Sequence, residues 1–237
     1  KVYIEYQVNN NTKGYASFLA SKRGKKRGEM QVLYLDGYKG IRYNILSHED
    51  DFKIFDTKND PGESNNLAGT NGAFVTLQKK MKNSVLRWRR YNSSAERPYD
   101  NEPVPAINPE GNLVEGIRVS AYNIDSPWVP YVATGAEPSN KTVVLSHIEN
   151  LPEQMGSNVL VYEGFLKAEH TGEYQISFDT NGGLVMHIHE AILIDDDNPN
   201  IAKGTGTSKV VLEKGFHPVR LVTKKPAENE NIDLELK

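Results

Sequence analysis

The sequence predicts an α+β unit, a small antiparallel sheet with one packed helix, followed by an all-β sandwich. Three observations predict it. A single helical period (Phe74, Leu77, Met81, Val85, Trp88) stands among short strand-like runs in the first half. Many short alternating runs separated by turn residues fill the second half. Between them, residues 92–112 hold Ser93, Ser94, Pro98, Pro103, Pro105, Pro109 and Gly111 and almost no aliphatic run, which discourages both helix and sheet. Domains are therefore expected at residues 1–97 and 113–237, with a proline-rich linker at 98–112.

In the first half, residues 2–8 read as a strand. Residues 30–35 and 38–45 flank Asp36-Gly37, a hairpin signal because the primed turn needs φ > 0 at both central positions. Residues 52–55 are a further short strand. The helix is expected from about residue 72 to 91, with Lys79, Lys80, Lys82, Arg87 and Arg90 on its solvated face. In the second half, Ile117, Val119 and Ala121 alternate with polar residues, as do Tyr174, Ile176 and Phe178, and Ile232, Leu234 and Leu236. Apolar runs at 143–145, 159–166, 191–194 and 210–212 complete the strands, and His170-Thr171-Gly172, Asn181-Gly182-Gly183 and Lys214-Gly215 mark turns between them.

Composition narrows the chemistry. The 237 residues are 38% hydrophobic and 25% charged, ordinary for globular domains. There is no cysteine, so disulfides, thiolate metal sites and a cysteine nucleophile are excluded. No apolar run approaches the length of roughly 18 residues needed to span a bilayer, and nothing points to a nucleic-acid partner. The net charge of −3 conceals an asymmetry. Residues 1–105 hold 18 Lys and Arg against 12 acids (+6), and residues 106–237 hold 10 against 19 (−9). The chain opens inside a strand pattern, Lys1-Val2-Tyr3-Ile4-Glu5-Tyr6, without an initiator Met; a piece of a longer protein is expected.

Three segments of the first half resemble one family in the right order. Tyr3-Ile4-Glu5-Tyr6 is similar to a "YWEF" strand. Gln31-Val32-Leu33-Tyr34-Leu35-Asp36-Gly37-Tyr38-Lys39-Gly40-Ile41-Arg42 resembles a "QAVRxGxWKxIR" hairpin. Phe52-Lys53-Ile54-Phe55-Asp56 leading to Asp60-Pro61-Gly62-Glu63-Ser64-Asn65-Asn66-Leu67-Ala68 resembles "ELYDLxxDPxExxNLA". All three belong to the C-terminal subdomain of type I (formylglycine) sulfatases. Locally, Asp60-Pro61-Gly62 is a turn, the Asn65-Asn66 pair can cap the segment after it, and Leu67 anchors the loop.

The resemblance implies a sulfuric ester hydrolase acting on sulfated glycans, periplasmic or secreted from a bacterium, whose own catalytic domain would be the partner of this chain. That family's formylglycine arises in a C/S-x-P-x-R motif, and a divalent metal, usually Ca²⁺, is held by Asp and Asn residues of the catalytic domain. Here the only P-x-R lies in Phe216-His217-Pro218-Val219-Arg220, and phenylalanine cannot become the aldehyde. No catalytic residue and no cofactor are expected within the chain. Lys22, Arg23, Lys25, Lys26 and Arg27 put five cations in six positions, which reads as a sulfate-binding segment or a solvated loop tip.

The second half resembles the PA14 family through Glu115-Gly116-Ile117-Arg118-Val119, Tyr162-Glu163-Gly164-Phe165-Leu166-Lys167-Ala168, Thr171-Gly172-Glu173-Tyr174-Gln175-Ile176-Ser177-Phe178, and Leu212-Glu213-Lys214-Gly215-Phe216-His217-Pro218-Val219-Arg220-Leu221. The resemblance implies a β-sandwich, in some members carbohydrate-binding through two adjacent Asp residues that hold Ca²⁺. The matching loop reads Asp179-Thr180-Asn181-Gly182, so Asp179 and Asn181 are the carbohydrate or Ca²⁺ candidates, and Thr180 stands where the second Asp is expected. Asp195-Asp196-Asp197-Asn198 reads as a solvated acidic cluster or a cation site. His187 and His189 have the i, i+2 spacing of some zinc sites but no evident third ligand. Trp128 reads as packing beneath a loop or as a sugar-stacking residue. The competing functions are a sulfatase C-terminal part with an accessory module, a stand-alone carbohydrate-binding protein, and a spacer or interaction module.

Overall fold

A computed structural model describes residues 2–89, 92, 94–139, 142–145, 157–180, 182–197, 204–224 and 232–236. The chain divides into two compact units, Lys1–Glu102 and Pro103–Lys237.

The first unit is an antiparallel four-stranded sheet in sequential order, β1 (Val2–Asn11), β2 (Lys26–Leu35), β3 (Tyr38–Tyr43) and β4 (Lys53–Phe55). Asp36 and Gly37 both have positive φ (51° and 85°), and Leu35 pairs with Tyr38, so β2 and β3 are joined by the two-residue primed turn expected from Asp-Gly. Helix α1 (Gly72–Trp88) lies on this sheet. Its cap is Asn71, whose side chain accepts from the backbone N–H of Ala73 and Phe74. Of the Asn65-Asn66 pair, Asn66 caps the segment after it, its Oδ1 accepting from Ala68 N–H (3.2 Å) and also from Ile54 N–H of β4 (2.9 Å). The helix ends short of the expected residue 91, because Arg89 leaves the helical path to pair with Asp100. Leu77, Met81, Val85 and Leu86 are buried against Leu33, Phe52 and Ile54. Gly40 lets the helix approach: a Cβ there would sit 2.6 Å from Met81 Sδ and 3.1 Å from Phe52 Cδ1. The helix's basic side is more than solvated, since Lys80 pairs with Asp36 and Lys82 with Glu49 and Asp51. Arg90 lies outside the described residues.

The second unit is a β-sandwich. One sheet has the order β10 (Ala191–Asp196), β9 (Gly183–Ile188), β12 (Gly215–Lys224), β7 (Val159–Ala168), β5 (Ile117–Tyr122), β6 (Thr142–Leu145); the other has the order β11 (Gly204–Leu212), β8 (Gly172–Thr180), β13 (Ile232–Leu236). Every strand pairing is antiparallel. Val119, Leu160, Tyr162, Ile176, Leu184, Leu212 and Leu221 form the core. A second cluster of Tyr122, Val129, Val132, Val159, Val161 and Val222 forms where the loop between β5 and β6 crosses the six-stranded sheet. Val159, Leu160, Val161 and Tyr162 are consequently all buried, which is why the sequence of β7 opens as an unbroken apolar run.

The proline-rich segment read as a linker is ordered at both ends. Tyr99 is fully buried in the first unit and Asp100 pairs with Arg89. Val104 and Ile107 form single β-bridges to Leu212 and Phe216 of the second unit. Among the described residues, no helix is long and apolar enough to cross a membrane.

Candidate functional site

In the first unit, the three segments that carry the sulfatase resemblance lock together. Gln31 of β2 donates to Glu5 of β1 (3.1 Å) and receives a bond from the Arg42 guanidinium of β3 (2.8 Å). Lys39 of the same hairpin reaches Glu63 of the Asp-Pro-Gly-Glu turn (2.5 Å). That turn is held to β4 from both sides, by Leu67 N–H to the Ile54 carbonyl (2.9 Å) and Ile54 N–H to Asn66 Oδ1 (2.9 Å). Asp60 closes the turn by accepting from Asn65 N–H and the Ser64 hydroxyl.

Around Gln31 lies a buried polar cluster. The Tyr99 hydroxyl donates to Glu5 (2.6 Å), Arg97 pairs with Glu5 (2.7 Å), and Glu29 stands beside them, 3.9 Å from Arg97 Nε. Burial draws the Glu5 carboxyl upward, but the Tyr99 hydroxyl and the Arg97 charge outweigh it and hold Glu5 below its ordinary value. Glu29 goes the other way. Burial, a hydrogen bond to Glu5 and the Glu5 charge push it up to about 7. Of the two neighbouring carboxyls, Glu5 is thus the easier to ionise and Glu29 the harder. Arg42 donates to the carbonyls of His48 and Asp50 and stacks 4.4 Å from the Phe52 ring centroid. Burial and then Arg42 hold His48 down at about 4. His48, Glu49, Asp51, Gln78, Lys82 and Asn83 border a surface groove of about 410 Å³.

The basic segment is less free than a loop tip. Arg23 is spent on the chain, donating to the Phe18 carbonyl (2.7 Å) and to that of Ala16. Thr12 ties the segment down, donating to the Lys22 carbonyl and accepting from Lys25 N–H. Lys26 and Arg27 belong to β2, and Arg27 Nε points to Met30 Sδ. Lys22, Lys25 and Lys26 are exposed. Tyr15 and Phe18, packed edge to face, and Leu19 are exposed on the same connection between β1 and β2. Composition alone offers no sign that these apolar residues stay uncovered.

In the second unit, Asp179 lies within β8, opposite Thr205 of β11 and Asp233 of β13. Asn181 lies outside the described residues, as does Asn198. Thr180 is buried, and its hydroxyl exchanges hydrogen bonds with the Gly182 backbone (3.2 and 3.1 Å). It serves the turn where the second carboxylate was expected. His187 and His189 have different neighbours. His189 bonds His217 (Nε2 to Nδ1, 2.9 Å), and His217 Nε2 donates to the Glu213 carbonyl (2.7 Å). That second bond makes His217 Nδ1 the acceptor and His189 the donor. His187 lies across from Arg220 of β12, and burial and that charge lower its pKa. Among the described residues, no group of three or more His, Cys, Asp or Glu is placed to hold a metal ion.

The β5–β6 loop is the surface that sequence reasoning misjudged. Trp128 does not pack beneath it; its exposure is 58%, and that of Tyr131 is 88%. Between and beside them Val129, Pro130 and Val132 point inward and are buried. The backbone is fixed at many points: Ile124 exchanges two bonds with the Asn158 side chain, Val129 N–H reaches the Asp197 carbonyl (3.0 Å), and the Tyr122 hydroxyl reaches the Ala136 carbonyl (3.0 Å). Arg220 donates to the Val132 carbonyl (2.6 Å), and Lys224 to that of Ser126. Gly183 sits directly under the loop, since a Cβ there would lie 2.5 Å from Val129 Cγ2 and 3.2 Å from the Asp197 carbonyl. The loop therefore borders the acidic end of β10, where burial and the flanking Asp197 and Asp195 raise the pKa of Asp196.

Residues 114–225 match the PA14 domain. No curated protein matches the chain. Similar solved structures include a β-glucosidase from Kluyveromyces marxianus, 16% identical over 52% of this chain and 16% of its own, with a TM-score of 0.41. An anti-sigma factor domain-containing protein from Clostridium clariflavum is 20% identical over 52% of this chain and 41% of its own, with a TM-score of 0.41. The subtype-switched Epithelial Adhesin 9 to 1 A domain from Candida glabrata, solved in complex with β-lactose, is 13% identical over 55% of this chain and 84% of its own, with a TM-score of 0.39. This chain thus spans about a sixth of the β-glucosidase.

Proposed function

We propose that this chain is the C-terminal, non-catalytic part of a periplasmic or secreted bacterial sulfatase acting on sulfated glycans, with a PA14 module as its accessory domain. The observation that supports this most is the interlocking of the three motif segments. Gln31 joins the second segment to Glu5 of the first, and Lys39 with Glu63 and Arg42 with the Phe52 ring join the second to the third, so one set of tertiary contacts links all three. Exposed Lys22, Lys25 and Lys26 beside Tyr15 and Phe18 suit a sulfated saccharide, with ammonium groups for sulfate and ring faces for the sugar. The coding sequence preceding Lys1 should contain a Cys or Ser in a C/S-x-P-x-R motif. The full-length protein should release sulfate from sulfated polysaccharide, and residues 1–237 alone should release none. An upstream sequence lacking the motif would sink this reading.

A second reading, a carbohydrate-binding module independent of any catalytic domain, draws on the second unit. It is favoured by the two exposed aromatic rings on an anchored loop, which suit a ligand with flat apolar faces.

A further inference from the structure

We infer that Trp128 and Tyr131 form a calcium-independent stacking platform for a neutral saccharide; this deepens, and rests on, the reading of the second unit as carbohydrate-binding. The loop is built in two layers. Val129 and Val132 are sunk into the cluster over β7 and β12, and the adjacent aromatic side chains of Trp128 and Tyr131 project to solvent. Hydrogen bonds from Asn158, Tyr122, Arg220 and Lys224 fix the backbone. A platform already held in place loses little freedom when a ligand settles on it, and aromatic side chains have only two torsions to order. Burying such rings in the unit's own core would stabilise it; the chain instead keeps them in water while burying the valines beside them.

The surroundings choose the ligand's charge. The second half of the sequence has ten cations against nineteen acids. Among the described residues, the two cations that bond to the loop are committed, Arg220 to Glu163 and the Val132 carbonyl, Lys224 to the Ser126 carbonyl. The adjoining strand end offers Asp195 and Asp197, both exposed. Carboxylates accept hydroxyl hydrogens and repel sulfate, so the fitting ligand is an uncharged sugar chain: pyranose faces on the rings, hydroxyls toward the carboxylates. Calcium is not needed for this geometry, and the residue standing at the expected second carboxylate, Thr180, is buried and occupied with its own turn.

The test uses residues 1–237 and neutral hexasaccharides of glucose, galactose, mannose and xylose, by titration calorimetry with and without EDTA. The platform predicts binding that EDTA leaves unchanged, weakened about tenfold or more by Trp128→Ala and by Tyr131→Ala, and retained by Trp128→Phe and Tyr131→Phe. Trp88 is the only other tryptophan, so in a Trp88→Phe background the emission of Trp128 should shift to the blue on binding. Binding that EDTA abolishes and the alanine variants preserve overturns the platform but leaves carbohydrate binding by the unit standing. No binding by the folded wild type overturns both. Self-association that Trp128→Ala abolishes, without sugar binding, makes the face a contact between copies and also overturns the inference.

Discussion

Glu29 does not behave as an ordinary surface carboxylate. Its carboxyl is nearly fully buried, and burial with the neighbouring Glu5 pushes its pKa up to about 7 in the folded protein against 4.5 for a free carboxyl. The folded state therefore binds more protons than the unfolded one between pH 4.5 and 7, and stability from this group falls as pH rises through that window. His48 has the opposite slope. It stays neutral in the fold down to about pH 4, so unfolding takes up a proton between pH 4 and 6.5, and stability rises with pH there. Comparing Glu29→Gln with the wild type cancels the His48 contribution. The variant leaves the His48 rise unopposed, and relative to wild type it should gain on the order of 1–3 kcal/mol between about pH 5 and pH 8. Urea unfolding at the two pH values checks this; a constant difference would mean that Glu29 is ionised throughout.

At the scale of elements, the packing of α1 on the sheet turns on Gly40. Its place in β3, opposite Met81 and Phe52, makes Gly40→Ala an overpacking change. We expect a loss of about 1–2 kcal/mol, the strain of displacing Met81 offset in part by the lower entropy of the unfolded alanine chain. Met81→Ala alone should cost about 2–5 kcal/mol through its cavity. The double variant should lose less than the two losses together, because the new methyl enters the space the sulfur leaves. Strict additivity in urea midpoints would show that the two positions do not meet. The helix was legible because its apolar residues recur at the helical period of about 3.6 and Met81 and Val85 lie on that stripe. Its end was not, because Arg89 is drawn out by Asp100, a partner that spacing cannot reveal. The Asp36-Gly37 hairpin was legible in full, since both residues must take positive φ and the local sequence alone selects them. Thr180 was legible as a departure from an acidic pair, but not as the residue that closes its own turn.

At the scale of the whole molecule, the charge asymmetry separates two kinds of ligand. Binding of a sulfated polysaccharide through exposed Lys22, Lys25 and Lys26 should fall steeply between about 0.05 and 0.5 M NaCl as the charges are screened. Lys25→Ala with Lys26→Ala should weaken it and flatten its salt dependence. Binding of a neutral oligosaccharide should barely respond to salt. Affinity measured across this range, with both ligands on the same chain, checks the contrast; a shared salt slope would refute it.

The sequence by itself determined the α+β and all-β classes, the helix and the central hairpin, because each rests on local periodicity or on backbone angles that neighbouring residues impose. Tertiary structure decided what these elements do to one another. Tyr99 reads as a linker tyrosine until it meets Glu5, 94 positions away. Trp128 reads as a buried residue until Val129 and Val132 take the places beneath the loop. Burial, pKa shifts and exposure depend on which distant residues come to share one space, and no local pattern carries that information.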